Sequence, residues 1–314
     1  MTQFINGLVS GISLGGIIAL IALGFVIIYR STHTLNFAQG TLLVLGAYVA
    51  YWFSGPVGGV NFDNPPSLFR LPLLAATAVA MVVLGALGWF LEVTVVRRFR
   101  GRPVFAVIMA TLGIGIVMSS LMAVVWGTSA VNLNTPFGAR WLDIGSIRIN
   151  QIDLFTLAVV GVISLAFFLG FQRSKLGTAM KATAFDQEAA IAQGISPNVI
   201  YGASWAISAA LAALAGVLLA SGAGSNAPQV SPSLSLVAFL GFPAIVLGGV
   251  DSPEGAVLGG LIIGIVINLT ATYDATISKL VGHEFFRVAP FVLMIIVLLV
   301  RPAGLFGTKE VRRV

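Results

Sequence analysis

Charged side chains are scarce in this sequence. Asp, Glu, Lys and Arg make up 9% of its 314 residues, against 58% hydrophobic residues, where a soluble domain carries about 25% charged residues. A chain this poor in charge cannot cover a water-facing surface, and lipid is its natural solvent. Cysteine is absent altogether, which excludes a disulfide scaffold, a zinc–thiolate finger and thiol catalysis. No GxxxxGK[ST] phosphate loop and no HExxH motif occurs, and the two histidines, His33 and His283, lie far apart. Neither a cofactor nor an ATPase site is therefore expected on this chain. Met1 to Leu8 contains no Lys or Arg, so the first apolar run lacks the basic flank of a cleaved signal and is expected to be a retained helix.

What is present is a series of long apolar windows. They run from Phe4 to Tyr29, Phe37 to Phe53, Leu71 to Leu91, Pro103 to Trp126, Leu154 to Phe171, Val199 to Ala220, Leu234 to Val250, Gly255 to Thr272 and Val288 to Val300. A span needs about 20 mostly apolar residues. The windows predict an all-α integral membrane protein, a polytopic bundle of about eight to ten transmembrane segments. Leu234–Val250 and Val288–Val300 are short enough to be tilted, broken or re-entrant.

The formal net charge of +6 is not spread over one face. Basic residues cluster at Arg97, Arg98, Arg100 and Arg102, at Arg173, Lys175 and Lys181, and at Arg301, Lys309, Arg312 and Arg313. With nine spans, all three clusters fall on one side, which the positive-inside rule makes cytoplasmic. That places the N-terminus outside and the C-terminus inside, and it implies no nucleic-acid surface. The loops with Asp63, with Asp143 and Asp153, and with Asp274 and Glu284 fall outside. Glu92 is expected at the interface beside Arg97 and Arg98.

Glycine numbers 36. In lipid, small residues let helix backbones approach. Gly7, Gly11, Gly15 and Gly16 in the first window, and Gly255, Gly259, Gly260 and Gly264 in the eighth, recur at helical spacing and predict helix packing.

Between the fifth and sixth windows lies RSKLGTAMKATAFDQEAAIAQGISPN. Good helix formers from Lys181 to Gln193, then Gly194 and Pro197, predict a short helix outside the membrane on the basic side. Its EAAIAQG run, Glu188, Ala189 and Ala190 followed by Gly194, resembles the EAA motif with which permeases of ATP-binding-cassette importers engage their ATPases. LNFAQGTLLVLGAYVA (Leu35–Ala50), LEVTVVRRFRGRPVFAVIMATLGIG (Leu91–Gly115) and GFPAIVLGGVDSPEGAVLGGLIIGIV (Gly241–Val266) are similar to segments of the LivH-type branched-chain amino acid permease family, in the same order.

The resemblance covers nearly the whole chain. It implies a single membrane domain over residues 1–314, with a coupling segment at about 173–198. It further implies a second, LivM-like permease subunit, two ATPase subunits that use the ATP, a periplasmic solute-binding protein, and residence in the bacterial inner membrane. The family's tyrosine–arginine–proline run before the fourth helix is replaced here by Val96-Arg97-Arg98-Phe99-Arg100.

A solute route in such a chain must be polar but nearly uncharged. Candidates are Asn36, Gln39 and Thr41 at the start of the second helix, Thr111, Ser119 and Ser120 in the fourth, Ser204 and Ser208 in the sixth, and Ser225 and Asn226 in the break that follows. Each hydroxyl or amide also serves equally well as a local cap or an interhelical hydrogen bond. The solutes the resemblance implies are branched-chain amino acids or a related small polar molecule; urea or short amides are the alternative within the family. From another class, a secondary carrier or channel uses broken helices as well, but the scarcity of ionisable residues within the windows weighs against proton coupling.

Overall fold

The structure, a computed structural model, describes residues 2–54, 71–133, 135, 141–144, 147–225 and 228–307. Twelve α-helices follow one another: α1 Thr2–Thr32, α2 Gln39–Ser54, α3 Leu73–Thr94, α4 Val104–Trp126, α5 Gln151–Arg173, α6 Lys175–Phe185, α7 Gln187–Ala192, α8 Pro197–Ala220, α9 Gly241–Gly248, α10 Pro253–Thr272, α11 Asp274–Val281 and α12 Ala289–Val300. Each of the nine apolar windows is helical. Six helices, α1, α3, α4, α5, α8 and α10, are long and apolar enough to cross a membrane. The other three windows are α2, the 3-10 segment Pro232–Leu240 running into α9, and α12, all shorter than a full span. The chain is a polytopic all-α membrane protein. Among the described residues, strands are confined to two small antiparallel pairs. In one, β1 (Val131–Asn132) meets β4 (Gln229–Val230); in the other, β2 (Trp141–Ile144) and β3 (Ile147–Asn150) form a hairpin leading into α5.

Helix ends are set by local chemistry. Ser31 and Thr32 turn their hydroxyls back onto the Ile28 carbonyl, at 3.0 and 2.8 Å, and α1 stops there. Asn150 caps α5 by accepting from the Ile152 amide, Ser174 caps α6 at Gly177, and Ser252 caps α10 at Gly255. Proline opens α8 and α10 at the position where its missing N–H costs nothing.

The centre of the molecule is α1, packed chiefly against α10 and α8, and the expected glycine packing joins it to α10. A Cβ on Gly15 would lie 2.8 Å from the Leu261 Cα, and one on Gly11 3.0 Å from the Ile265 Cα. From the α10 side, a Cβ on Gly260 or Gly264 would overlap the α1 backbone at Ala19 or Gly15. Gly255 and Gly259 face α9 instead, and Gly16 faces Val160 of α5. The same device joins α2 to α8, where Gly46 lies on Ala213 and Gly216 on the Leu43 carbonyl. Bare backbone against bare backbone maximises dispersion contact where lipid offers no hydrophobic drive.

Two expectations need correction. The extramembrane segment is two helices rather than one. Asp186 leaves the helical conformation (φ −152°) and its side chain accepts from the Ala189 amide at 3.0 Å. It thereby starts α7 afresh, as N-terminal caps do. Asp153 is not a loop residue. It sits in the first turn of α5, buried, where Ser10 of α1 donates to one carboxylate oxygen (3.0 Å) and the Gly224 amide to the other (2.8 Å).

Candidate functional site

The chain between α1 and α2 folds back instead of leaving the bundle. Gln39, the first residue of α2, lies against Gly24, where any Cβ would overlap its amide. Gly24 is eight residues before the end of α1, a depth of roughly 12 Å at 1.5 Å per residue. The start of α2 is therefore sunk into the protein, and the irregular backbone from His33 to Ala38 is lined by α4 and α8.

Four of the ten residues nominated from sequence meet there. Asn36 accepts from the Ala38 amide (3.0 Å) and donates to Gln39 Oε1 (3.3 Å). Ser208 of α8 donates to the same oxygen (3.1 Å), and Gln39 Nε2 donates back to the Ser208 carbonyl (3.4 Å). Thr111 of α4 accepts from the Phe37 amide (3.2 Å) and donates to Ile108 (2.9 Å). All four of these side chains are buried, and their polar atoms are spent on one another and on the backbone. Ser204 bonds within its own helix, to the Ile200 carbonyl, and Ser120 is exposed. Ser225 belongs to a 3-10 turn at residues 223–225, away from this cluster, and Asn226 lies outside the described residues.

Beside the cluster is a cavity of about 200 Å3 between α1, α2, α4, the Pro232–Leu240 segment and α9. Its walls include the rings of Phe25, Phe37, Phe239 and Phe242, the backbones of Gly40 and Gly115, and the hydroxyls of Thr41, Ser119 and Ser235. Phe242 is the hub, with ring centroids 4.8 Å from Phe25, 5.5 Å from Phe37 and 6.0 Å from Phe239. Sequence reasoning found Thr41 and Ser119 but missed the rings. They come from three separate segments of apolar sequence, where a phenylalanine gives no signal of its own.

A second cavity, of about 460 Å3, opens toward the end that carries α7; Thr32, His33, Thr34, Glu92, Arg100, Arg102, Gln187 and Tyr201 are among its walls. Val107 lines this cavity and Gly115 lines the first. Thr111, midway between them on the same face of α4, stands at the partition together with Phe37. Glu92 is buried, with Arg97 at 2.7 Å and Arg100 as its partners rather than Arg97 and Arg98. Arg100 also reaches the Asn198 side chain and stacks over Tyr201 at 4.2 Å, and the Tyr201 hydroxyl donates to Gln187 of α7 at 3.1 Å. The end of α3 is thus tied by charge-assisted bonds to the α7–α8 turn.

The α6–α7 elbow projects from this end. Of the EAA-like run, Glu188 and Ala189 are exposed while Ala190 is buried. After α7, the Gly194 amide donates to the Ile191 carbonyl (2.9 Å) and the Ile195 amide to the Ala190 carbonyl (3.0 Å). That is a Schellman closure, with Gly194 at φ +79°. A Cβ there would meet nothing within 4 Å, so the need for glycine is conformational and not a matter of crowding. At the elbow itself, Phe185 is 95% exposed, a large apolar side chain held fully in the open.

Comparison with known proteins gives this geometry a setting. The family model for the permease component of the branched-chain amino acid transport system matches residues 7–298. The high-affinity branched-chain amino acid transport system permease protein LivH of Escherichia coli K12 is 30% identical, over 99% of this chain and 98% of its own. Its counterpart BraD of Pseudomonas aeruginosa has the same identity and coverage. Among solved structures, PsaBC from Streptococcus pneumoniae in complex with Fab superposes with a TM-score of 0.48 at 13% identity, over 96% of this chain and 93% of that one.

Proposed function

Because the chain belongs to the branched-chain amino acid transport permease family, we propose that it supplies half of a translocation path for branched-chain amino acids or a related small polar solute. The importer is of the ATP-binding-cassette type and sits in the bacterial inner membrane. In this reading a second, LivM-like permease subunit completes the path, two separate ATPase subunits use the ATP, and a periplasmic solute-binding protein delivers the solute. The chain itself holds no ATPase site. The end carrying α7 faces the cytoplasm, as the positive-inside rule expects of the basic clusters in the sequence, and the N-terminus faces outward.

The observation that carries the coupling role is the α6–α7 elbow. It presents Glu188, Ala189 and Phe185 outward, is closed by Gly194, and is linked through Gln187, Tyr201 and Arg100 to the end of α3. ATPase closure shifts the permease only through contacts that differ between its two states, and an exposed, internally tied elbow supplies them. The solute route follows the face of α4 from Ser119 past Thr111, beside Asn36, Gln39 and Ser208.

The test is uptake and ATPase activity in proteoliposomes holding the whole complex. Gly194→Val forces a β-branched residue into left-handed backbone, a cost of about 1–2 kcal/mol, and is expected to lower uptake several-fold while membrane insertion persists. Glu188→Lys is expected to weaken ATPase stimulation, and Asp143→Asn to do neither. Normal coupled activity in both elbow variants would remove the segment from this role. The urea or amide alternative predicts uptake of those solutes instead of leucine by the same preparation.

A further inference from the structure

We propose that the phenylalanine-walled cavity binds the aliphatic side chain of the solute, so that this subunit itself sorts solutes by side-chain size. The inference rests on the transport reading above and adds a site and a selectivity to it.

Three observations carry it. First, the chemistry of the walls is one-sided. Phe25, Phe37, Phe239 and Phe242 converge on the space, and no charged residue is among its described lining. A carboxylate side chain would lose its hydration there without gaining a cation, whereas an aliphatic one finds ring faces and edges. Second, the size fits. A dry apolar cavity of about 150 Å3 takes up benzene, and this one is about 200 Å3. Third, the space is kept open by a residue that packing does not require to be small. A Cβ on Gly40 would come within 2.5 Å of the Ser235 carbonyl, so glycine is forced there. A Cβ on Gly115 would meet its nearest neighbour, Thr41 Oγ1, at 3.5 Å, an ordinary contact. The helix would accept a side chain at 115, and what glycine leaves there is cavity.

The hydroxyls set the polar end. Thr41 Oγ1 donates to the Ala38 carbonyl and Ser235 Oγ to the Pro232 carbonyl, each at 2.8 Å. With their protons turned inward, both oxygens offer lone pairs to a donor such as an ammonium group. A zwitterion with an apolar side chain matches this division. A pocket of this kind separates solutes that differ by one methylene by roughly 10-fold or more.

The experiment measures initial uptake of leucine and valine, each at saturating concentration, by proteoliposomes holding the complete importer. Because every variant shares one solute-binding protein, a change in the leucine-to-valine ratio reports the permease. Gly115→Leu fills the space and is expected to lower that ratio at least fivefold; Phe239→Ala, on the half-open side, is expected to raise it. Should Gly115→Leu fail to insert, Ser119→Leu narrows the same cavity from the next turn of α4. Unchanged ratios in variants that still transport would overturn the site while leaving the transport reading standing. A wild-type complex that moves neither amino acid would overturn the site and the branched-chain amino acid assignment together, leaving the urea or amide alternative.

Discussion

Helices α1 and α5 are almost equally apolar over their best windows, yet 94% of that window is buried in α1 and 17% in α5. Hydropathy therefore does not tell a helix at the centre of this protein from one at its rim. A lipid chain and a leucine core are equally good solvents for an apolar side chain. What separates the two helices is what their small residues touch. On α1, Gly7, Gly11, Gly15, Gly16 and Gly24 each face another element closely. On α5, a Cβ at Gly161 or Gly170 would meet nothing within 4 Å. The inner helix is held by close contacts along its length, backbone against backbone at Gly11 and Gly15. The outer ones are held at points: α5 by Asp153, and α4 by Thr111 and by Trp126, which stacks on Tyr48 at 5.1 Å.

The contrast predicts a ranking of substitutions, read as shifts in the thermal unfolding midpoint of the purified subunit. Gly15→Val drives a branched side chain into the α10 backbone and is expected to cost about 3 kcal/mol or more, enough to lose folded protein. Asp153→Leu leaves the Ser10 hydroxyl and the Gly224 amide without their acceptor and is expected to cost about 1–3 kcal/mol. Thr111→Val removes the acceptor of the Phe37 amide and should cost about 1 kcal/mol. Gly161→Val, although the same change as the first, is expected to stay within about 0.5 kcal/mol. A Gly161 variant as damaging as the Gly15 variant would break the distinction between held-along and held-at-points. A neutral Asp153→Leu would show that α5 needs no pin.

The sequence disclosed the helices and the helix stop at Gly194, because both rest on local signals. Apolar windows mark spans, and Gly194 followed by Pro197 marks a helix stop. The break at Asp186 was missed: aspartate before Gln187 and Glu188 is a favoured N-terminal cap, but the run of good helix formers around it masked the signal. The amide and hydroxyl cluster was half legible. Polar residues stand out in apolar windows, so Asn36, Gln39, Thr111 and Ser208 were found. Their mutual satisfaction depends on a fold-back that no window shows. Asp153 and the phenylalanine cavity were not legible. The first is buried by Gly224, 71 positions away. The second is made of residues as ordinary in a membrane span as leucine.

The fold-back at the start of α2 also sets where this bundle is soft. A helix resists bending because each turn is laced to the next, and α1 and α8 are in addition clamped along their sides. The stretch from Thr34 to Phe37 lacks that lacing. It hangs from a few side-chain bonds, chiefly those of Asn36 and Thr111. Such a joint yields by exchanging individual bonds and leaves every neighbouring helix ladder intact. Compliance is thereby concentrated in one short run of chain beside the two cavities, while the glycine seam of α1 and α10 serves as the rigid frame against which it moves.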